Sequence, residues 1–144
     1  MTILQRAQTY IDSQPEPKRT ELQWLHDSIR QTWPEHELWF LDGKNEAGKV
    51  VSNPNIGYGR YTIAYANGST KEFFRVGVSA NTNGISVYVM GLPDKAYLAK
   101  AIGERIGKAN VTGYCIKFKS LKDIDVDVLL EAIRIGFDVS SSNG

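Results

Sequence analysis

Cysteine is nearly absent from this sequence: Cys115 stands alone, so no disulfide can form within the chain. That excludes a disulfide-stapled secreted scaffold and points to a reducing, cytoplasmic compartment. Long apolar runs are missing as well. The longest, Ile85 to Leu92, is interrupted by Ser86 and Gly91 and is too short to span a bilayer. The opening residues, Met1 to Tyr10, mix Gln5, Arg6 and Gln8 among apolar positions, which is no signal-peptide core. No charge of one sign dominates: 17 Lys and Arg stand against 16 Asp and Glu, a net +1. An extended basic groove for nucleic acid normally leaves a visible excess of cations, so nucleic acid is not the expected partner, and neither is a membrane.

Histidine is scarce too. His26 and His36 do not form the i, i+4 pair with Glu that builds a helical zinc site, and Cys115 is far from both. The sequence therefore requires no metal or other cofactor. Composition does supply a core, with 42% hydrophobic and 10% aromatic residues in 144. A chain of that size buries enough surface to fold unaided, and no linker or repeat divides it, so one domain over residues 1–144 is expected.

Apolar spacing sets the elements. Thr2 caps a first helix to about Ser13, with Ile3, Ala7, Tyr10 and Ile11 on one stripe, until Pro15 and Pro17 break it. A second helix, from about Lys18 to Trp33, carries Leu22, Leu25 and Ile29 and stops at Pro34. The period then changes to two. Leu38 to Leu41 is a short apolar run, followed by a polar loop from Asp42 to Lys49. Gly59 to Ala66, Phe73 to Ser79 and Ile85 to Met90 alternate as strands, joined by turns at Asn67-Gly68 and Asn83-Gly84, and read as an antiparallel meander. Pro93 and Asp94 open a third helix to about Ile106. Tyr114 to Lys119 is a further strand, with Cys115, Lys117 and Lys119 on one face. The last helix runs from about Asp125 to Phe137, and Ser140 to Gly144 is a polar tail expected to fray. The fold class is α+β: an antiparallel sheet packed against N-terminal and C-terminal helices.

Several motifs suggest chemistry that their context denies. Gly43 to Val50 nearly spells a P-loop, but Val50 stands where a Ser or Thr must ligate magnesium, and Pro54 interrupts the segment after it, so a loop between strands is expected. Gly57-Tyr58-Gly59 lacks the third glycine of a dinucleotide fingerprint. Cys115 on a strand reads as a small buried hydrophobe rather than a nucleophile. Asp123, Asp125 and Asp127 could offer oxygens to a hard cation, yet acids at a helix start are equally explained by capping and the helix dipole. No nucleophile or acid–base constellation assembles, so the reading leans away from an enzyme. A softer constellation remains: Tyr58, Tyr61, Tyr88 and their aromatic neighbours accompany Arg60, Arg75 and Lys117 across the strands. Those sharing a face would wall a pocket for a small anion or an acidic peptide.

Ile56-Gly57-Tyr58-Gly59-Arg60-Tyr61, Tyr65-Ala66-Asn67-Gly68, Val76-Gly77-Val78-Ser79 and Ser86 to Met90, with Cys115 to Asp125, resemble the YdhG-like domain-of-unknown-function family. The likeness covers most of the chain and implies an α+β domain with an antiparallel sheet against helices. Some relatives are described as frataxin-like intracellular iron chaperones. This chain departs from the pattern at Ala80-Asn81-Thr82-Asn83, where relatives carry a basic stretch, and in a longer loop from Asp42 to Asn53.

Three functions stand as expectations. The first is a binding domain of the YdhG-like type that holds a small ligand or a protein partner on its sheet face through Tyr58, Arg60, Tyr61, Arg75, Tyr88 and Lys117. The second, an alternative in line with what some relatives are described as, is an iron chaperone, with Asp123, Asp125, Asp127 and Glu131 as the acids this sequence offers for it. The third is an interaction module that forms a homodimer through a sheet edge.

Overall fold

The computed structural model describes residues 1–142. Thr2 starts helix α1 (Ile3–Asp12) with a reciprocal cap: its Oγ1 accepts from the Gln5 amide at 3.1 Å, and its own amide donates to Gln5 Oε1 at 2.9 Å. Helix α2 (Lys18–Thr32) buries Leu22, Leu25, His26 and Ile29. Strands β1 (Leu38–Leu41), β2 (Asn55–Tyr58), β5 (Val76–Asn81), β6 (Gly84–Val89), β7 (Ala109–Thr112) and β8 (Cys115–Phe118) build a six-stranded sheet in the order β1-β2-β5-β6-β8-β7. Every neighbouring pair is antiparallel. Strands β3 (Tyr61–Ala64) and β4 (Thr70–Phe73) form a separate two-stranded ribbon. Helices α3 (Tyr97–Ile102) and α4 (Val126–Ser142) complete the chain, with a 3-10 turn at Leu121–Asp123 between β8 and α4.

The pairing places Phe40, Ile56, Val78, Val87, Ile116 and Val111 in one row across all six strands. Alternation then sends these side chains to a single face. That face meets the helices: Ala7 and Ile11 of α1, Leu25 and Ile29 of α2, Leu98 and Ile102 of α3, and Leu129, Ile133 and Phe137 of α4 join it in one buried cluster. Tyr10 also ties α1 to the sheet edgewise. Its hydroxyl accepts from the Ala80 amide at 2.8 Å, beyond the point where the β2–β5 pairing ends.

The next row, Trp39, Gly57, Gly77, Tyr88, Cys115 and Thr112, faces the other way. Phe74 lies across its glycines and is 3% exposed. A Cβ on Gly77 would stand 2.5 Å from Phe74 Cε1, so the missing side chain is what admits the ring.

Four sequence expectations change. The meander breaks after Tyr58: the main-sheet strand is Asn55–Tyr58, and Tyr61–Ala64 leaves to pair with Thr70–Phe73 around Asn67-Gly68. Ala109–Thr112 is a strand the apolar pattern did not signal. The third helix is confined to Tyr97–Ile102, because Asp94 Oδ1 accepts from the Ala96 amide in a turn and Gly103 already ends the helix. Ser140–Ser142 continue α4, while Asn143 and Gly144, the rest of the expected tail, lie outside the described residues. The P-loop-like segment is a hairpin closed by a Lys44–Val50 bridge, with no helix after it.

Candidate functional site

Most of the aromatic and cationic residues expected to share a face are separated by the fold. Tyr58 points into the helix-facing core, 2% exposed, with its hydroxyl 2.7 Å from His26 Nδ1. Burial pushes the Tyr58 phenol well above its usual range and the His26 imidazole below its own, so both are neutral there. Arg60 reaches the opposite side, where Nε and Nη2 grip the Glu37 carboxylate at 2.8 and 2.7 Å and the guanidinium lies 5.1 Å from the Trp39 ring centre. Hydrogen bonding to Arg60 holds the Glu37 carboxyl below its ordinary value. Arg75 is a staple: Nε donates to the Arg60 carbonyl at 2.6 Å and Nη1 to the Phe137 carbonyl at 2.9 Å, joining the residue before β5 to the second half of α4. Tyr61 sits half-buried on the ribbon. Tyr88 and Lys117 do share the helix-free sheet face, in adjacent rows.

The acids of the iron expectation are pulled to different tasks. Asp125 Oδ1 accepts from the Asp127 and Val128 amides at 3.0 and 3.3 Å and caps α4. Glu131 pairs with Arg105, whose guanidinium donates to both carboxylate oxygens. Asp127 is exposed on the first turn of α4. Among the described residues no three His, Cys, Asp or Glu side chains converge as a metal would need. Cys115 is buried, and that burial raises its thiol above the ordinary value, which opposes a nucleophilic role.

What the helix-free face does hold lies at its other end. Beyond the row of Ser79, Ser86, Lys117 and Asn110 comes a depression of about 1000 Å³. Lys117 and Lys119 reach it from β8 and just past it, Lys108 and Asn110 from around β7, and Asn53 from the long β1–β2 loop. Its remaining wall is the β5–β6 turn, Asn81 to Asn83. Gly84, at the start of β6, lets that strand pass close to β8, since a Cβ there would collide with the backbone of Phe118 and Lys119. Asn81 is structural: its Nδ2 donates to Ser86 Oγ at 2.8 Å, its Oδ1 accepts from the Asn83 amide at 2.8 Å, and its carbonyl accepts from Lys18 Nζ at 3.0 Å. The side-chain amides of Asn53, Asn83 and Asn110 enter no hydrogen bond among the described residues.

No carboxylate lines this depression among the described residues. Lys108, Lys117 and Lys119 are exposed, and within the described residues none makes an ion pair. Among the described residues the ion pairs lie elsewhere, on arginines and His36. A nearly neutral chain thus concentrates unpaired positive charge and uncommitted amides at one end of one face. Such a surface attracts anions and offers neutral donors and acceptors beside them. The sequence carried part of this signal, in the alternation of Lys117 with Lys119. Lys108, Asn53, Asn83 and Asn110 come from three other segments, and only strand order brings them together.

Among the described residues no helix is long and apolar enough to cross a membrane. Compared with protein-family models, with curated proteins and with solved structures, the chain matches none.

Proposed function

We propose that the chain is a non-enzymatic binding domain of the YdhG-like type, acting in the cytoplasm, that holds an anionic small molecule at the basic end of its sheet face. The observation that carries this reading is the carboxylate-free depression with three unpaired lysines, in a protein whose charges otherwise balance. Its volume, about 1000 Å³, suits a ligand of many atoms rather than a lone ion. The lysines hold the charge and the free amides hold a polar body beside it. The family part of the reading is supported by the motifs around Gly57-Tyr58-Gly59 and Val76-Gly77-Val78, and the cytoplasmic part by a single, buried cysteine.

Amide NMR titration at low ionic strength with phosphate, citrate and a nucleoside monophosphate tests it. Saturable shifts at Lys108, Asn110, Lys117 and Lys119 are expected, and Lys117→Gln weakens them roughly tenfold. An unchanged spectrum with all three anions, or shifts that ignore Lys117→Gln, refutes it.

A further inference from the structure

A second depression, of about 330 Å³, lies on the other side of the β5–β6 turn. The two share Thr82, Asn83 and Lys119 in their walls, so that turn is a ridge between them and Lys119 stands on the boundary. Lys18 and Lys122 line the second hollow, together with Asp123. Lys18 commits a donor to the Asn81 carbonyl at 3.0 Å and keeps others, since an ammonium has three. Lys122 is exposed and makes no ion pair among the described residues. Positive charge therefore continues over the ridge, from Lys108 and Lys117 through Lys119 to Lys122 and Lys18. The Asn83 amide that donates to Asn81 Oδ1 fixes the turn that the ligand would cross.

Resting on the function proposed above, we infer that the ligand is an oligophosphate, with one phosphate group on Lys108 and Lys117 and another beyond the ridge on Lys122 and Lys18. A single anion uses one hollow; a chain of phosphates uses both, and the second contact then forms at the high effective concentration set by the first. The carboxylate of Asp123 makes the second hollow the less positive of the two, so the first contact anchors and the second adds reach. The chemistry has two sources, a bare phosphate chain or a nucleoside polyphosphate, whose base and sugar would lie against Asn53 and Asn110.

Calorimetry of the full chain with orthophosphate, tripolyphosphate and a nucleoside triphosphate, all without magnesium, decides the matter. Tripolyphosphate is expected to bind at least about a hundredfold more tightly than orthophosphate. Lys122→Gln should weaken tripolyphosphate about tenfold and leave orthophosphate unchanged, whereas Lys117→Gln weakens both. Tighter binding of the nucleoside triphosphate assigns that source; equal binding assigns the bare chain, and the bridging stands in either case. Equal affinity for one and three phosphates, or no selective effect of Lys122→Gln, overturns the bridging while orthophosphate binding that responds to Lys117→Gln still supports the anion site. No binding of any of the three ends both. Both lysines are exposed, so each variant should melt with the parent, which a thermal scan verifies.

Discussion

Replacing Gly77 by alanine places a methyl group 2.5 Å from Cε1 and 2.7 Å from Cζ of Phe74, well inside contact distance. Overpacking of this kind costs about 1–3 kcal/mol. The offending atoms belong to the ring, so removing the ring should remove the conflict. Phe74→Ala alone, at a site 3% exposed, costs about 3–5 kcal/mol. In that background Gly77→Ala should turn neutral or stabilise by about 0.5 kcal/mol, since Gly77 has no positive φ and alanine stiffens the unfolded chain. The coupling between the two positions is then about 2 kcal/mol, against about 0.5 kcal/mol for independent sites. Gly57 supplies the control. A methyl there meets Phe74 Cβ at 2.7 Å, an atom that Phe74→Ala retains, so Gly57→Ala stays costly in both backgrounds. Urea unfolding followed by circular dichroism reads all of these, with the coupling appearing as a midpoint shift of about 1 M. If Gly77→Ala and Phe74→Ala add within about 0.5 kcal/mol, Phe74 is not what the glycines accommodate.

Arg75→Ala should lower stability by about 1–3 kcal/mol, because it removes two charge-assisted hydrogen bonds, to the Arg60 and Phe137 carbonyls, and differential scanning fluorimetry would show the drop. An unchanged melting temperature would mean that the staple contributes nothing. Tyr58→Phe strands buried His26 and should cost about 1–2 kcal/mol, measured in the same way. Stability should fall as pH drops below about 6.5: burial lowers the His26 pKa in the native state, so the unfolded chain binds the proton first. That loss continues down to the native pKa, and His26→Gln should flatten it except for the share of His36, which burial also lowers. A pH-independent melting temperature between pH 5 and 7.5 would contradict this sign. Asp125→Ala should cost about 1 kcal/mol by uncapping α4 and leave anion titrations unchanged.

The fold was readable where one face of one element decides burial. Val76 and Val78 alternate inward, and Leu129, Ile133 and Phe137 keep helical spacing; both patterns are local and both hold. Strand β2 was not readable, because Asn55-Ile56-Gly57-Tyr58 offers two apolar side chains and a glycine whose reason is a ring from another segment. Tyr58 and Arg75 misled for a related cause. An aromatic and a cation on strands suggest a pocket wall, but the first answers a buried histidine and the second a carbonyl of the last helix sixty-two positions away. Lys117 was legible as a surface cation; its company was not, since sequence does not order the strands.

The segregation of charge has a consequence for handling the molecule. Near its isoelectric point the protein has no net charge, yet it still has a direction. A cation exchanger should retain it there, gripping it by the lysine end. Dissolved anions should likewise meet it unevenly, arriving faster at that end than its neutral total suggests, with a rate that falls as salt is added.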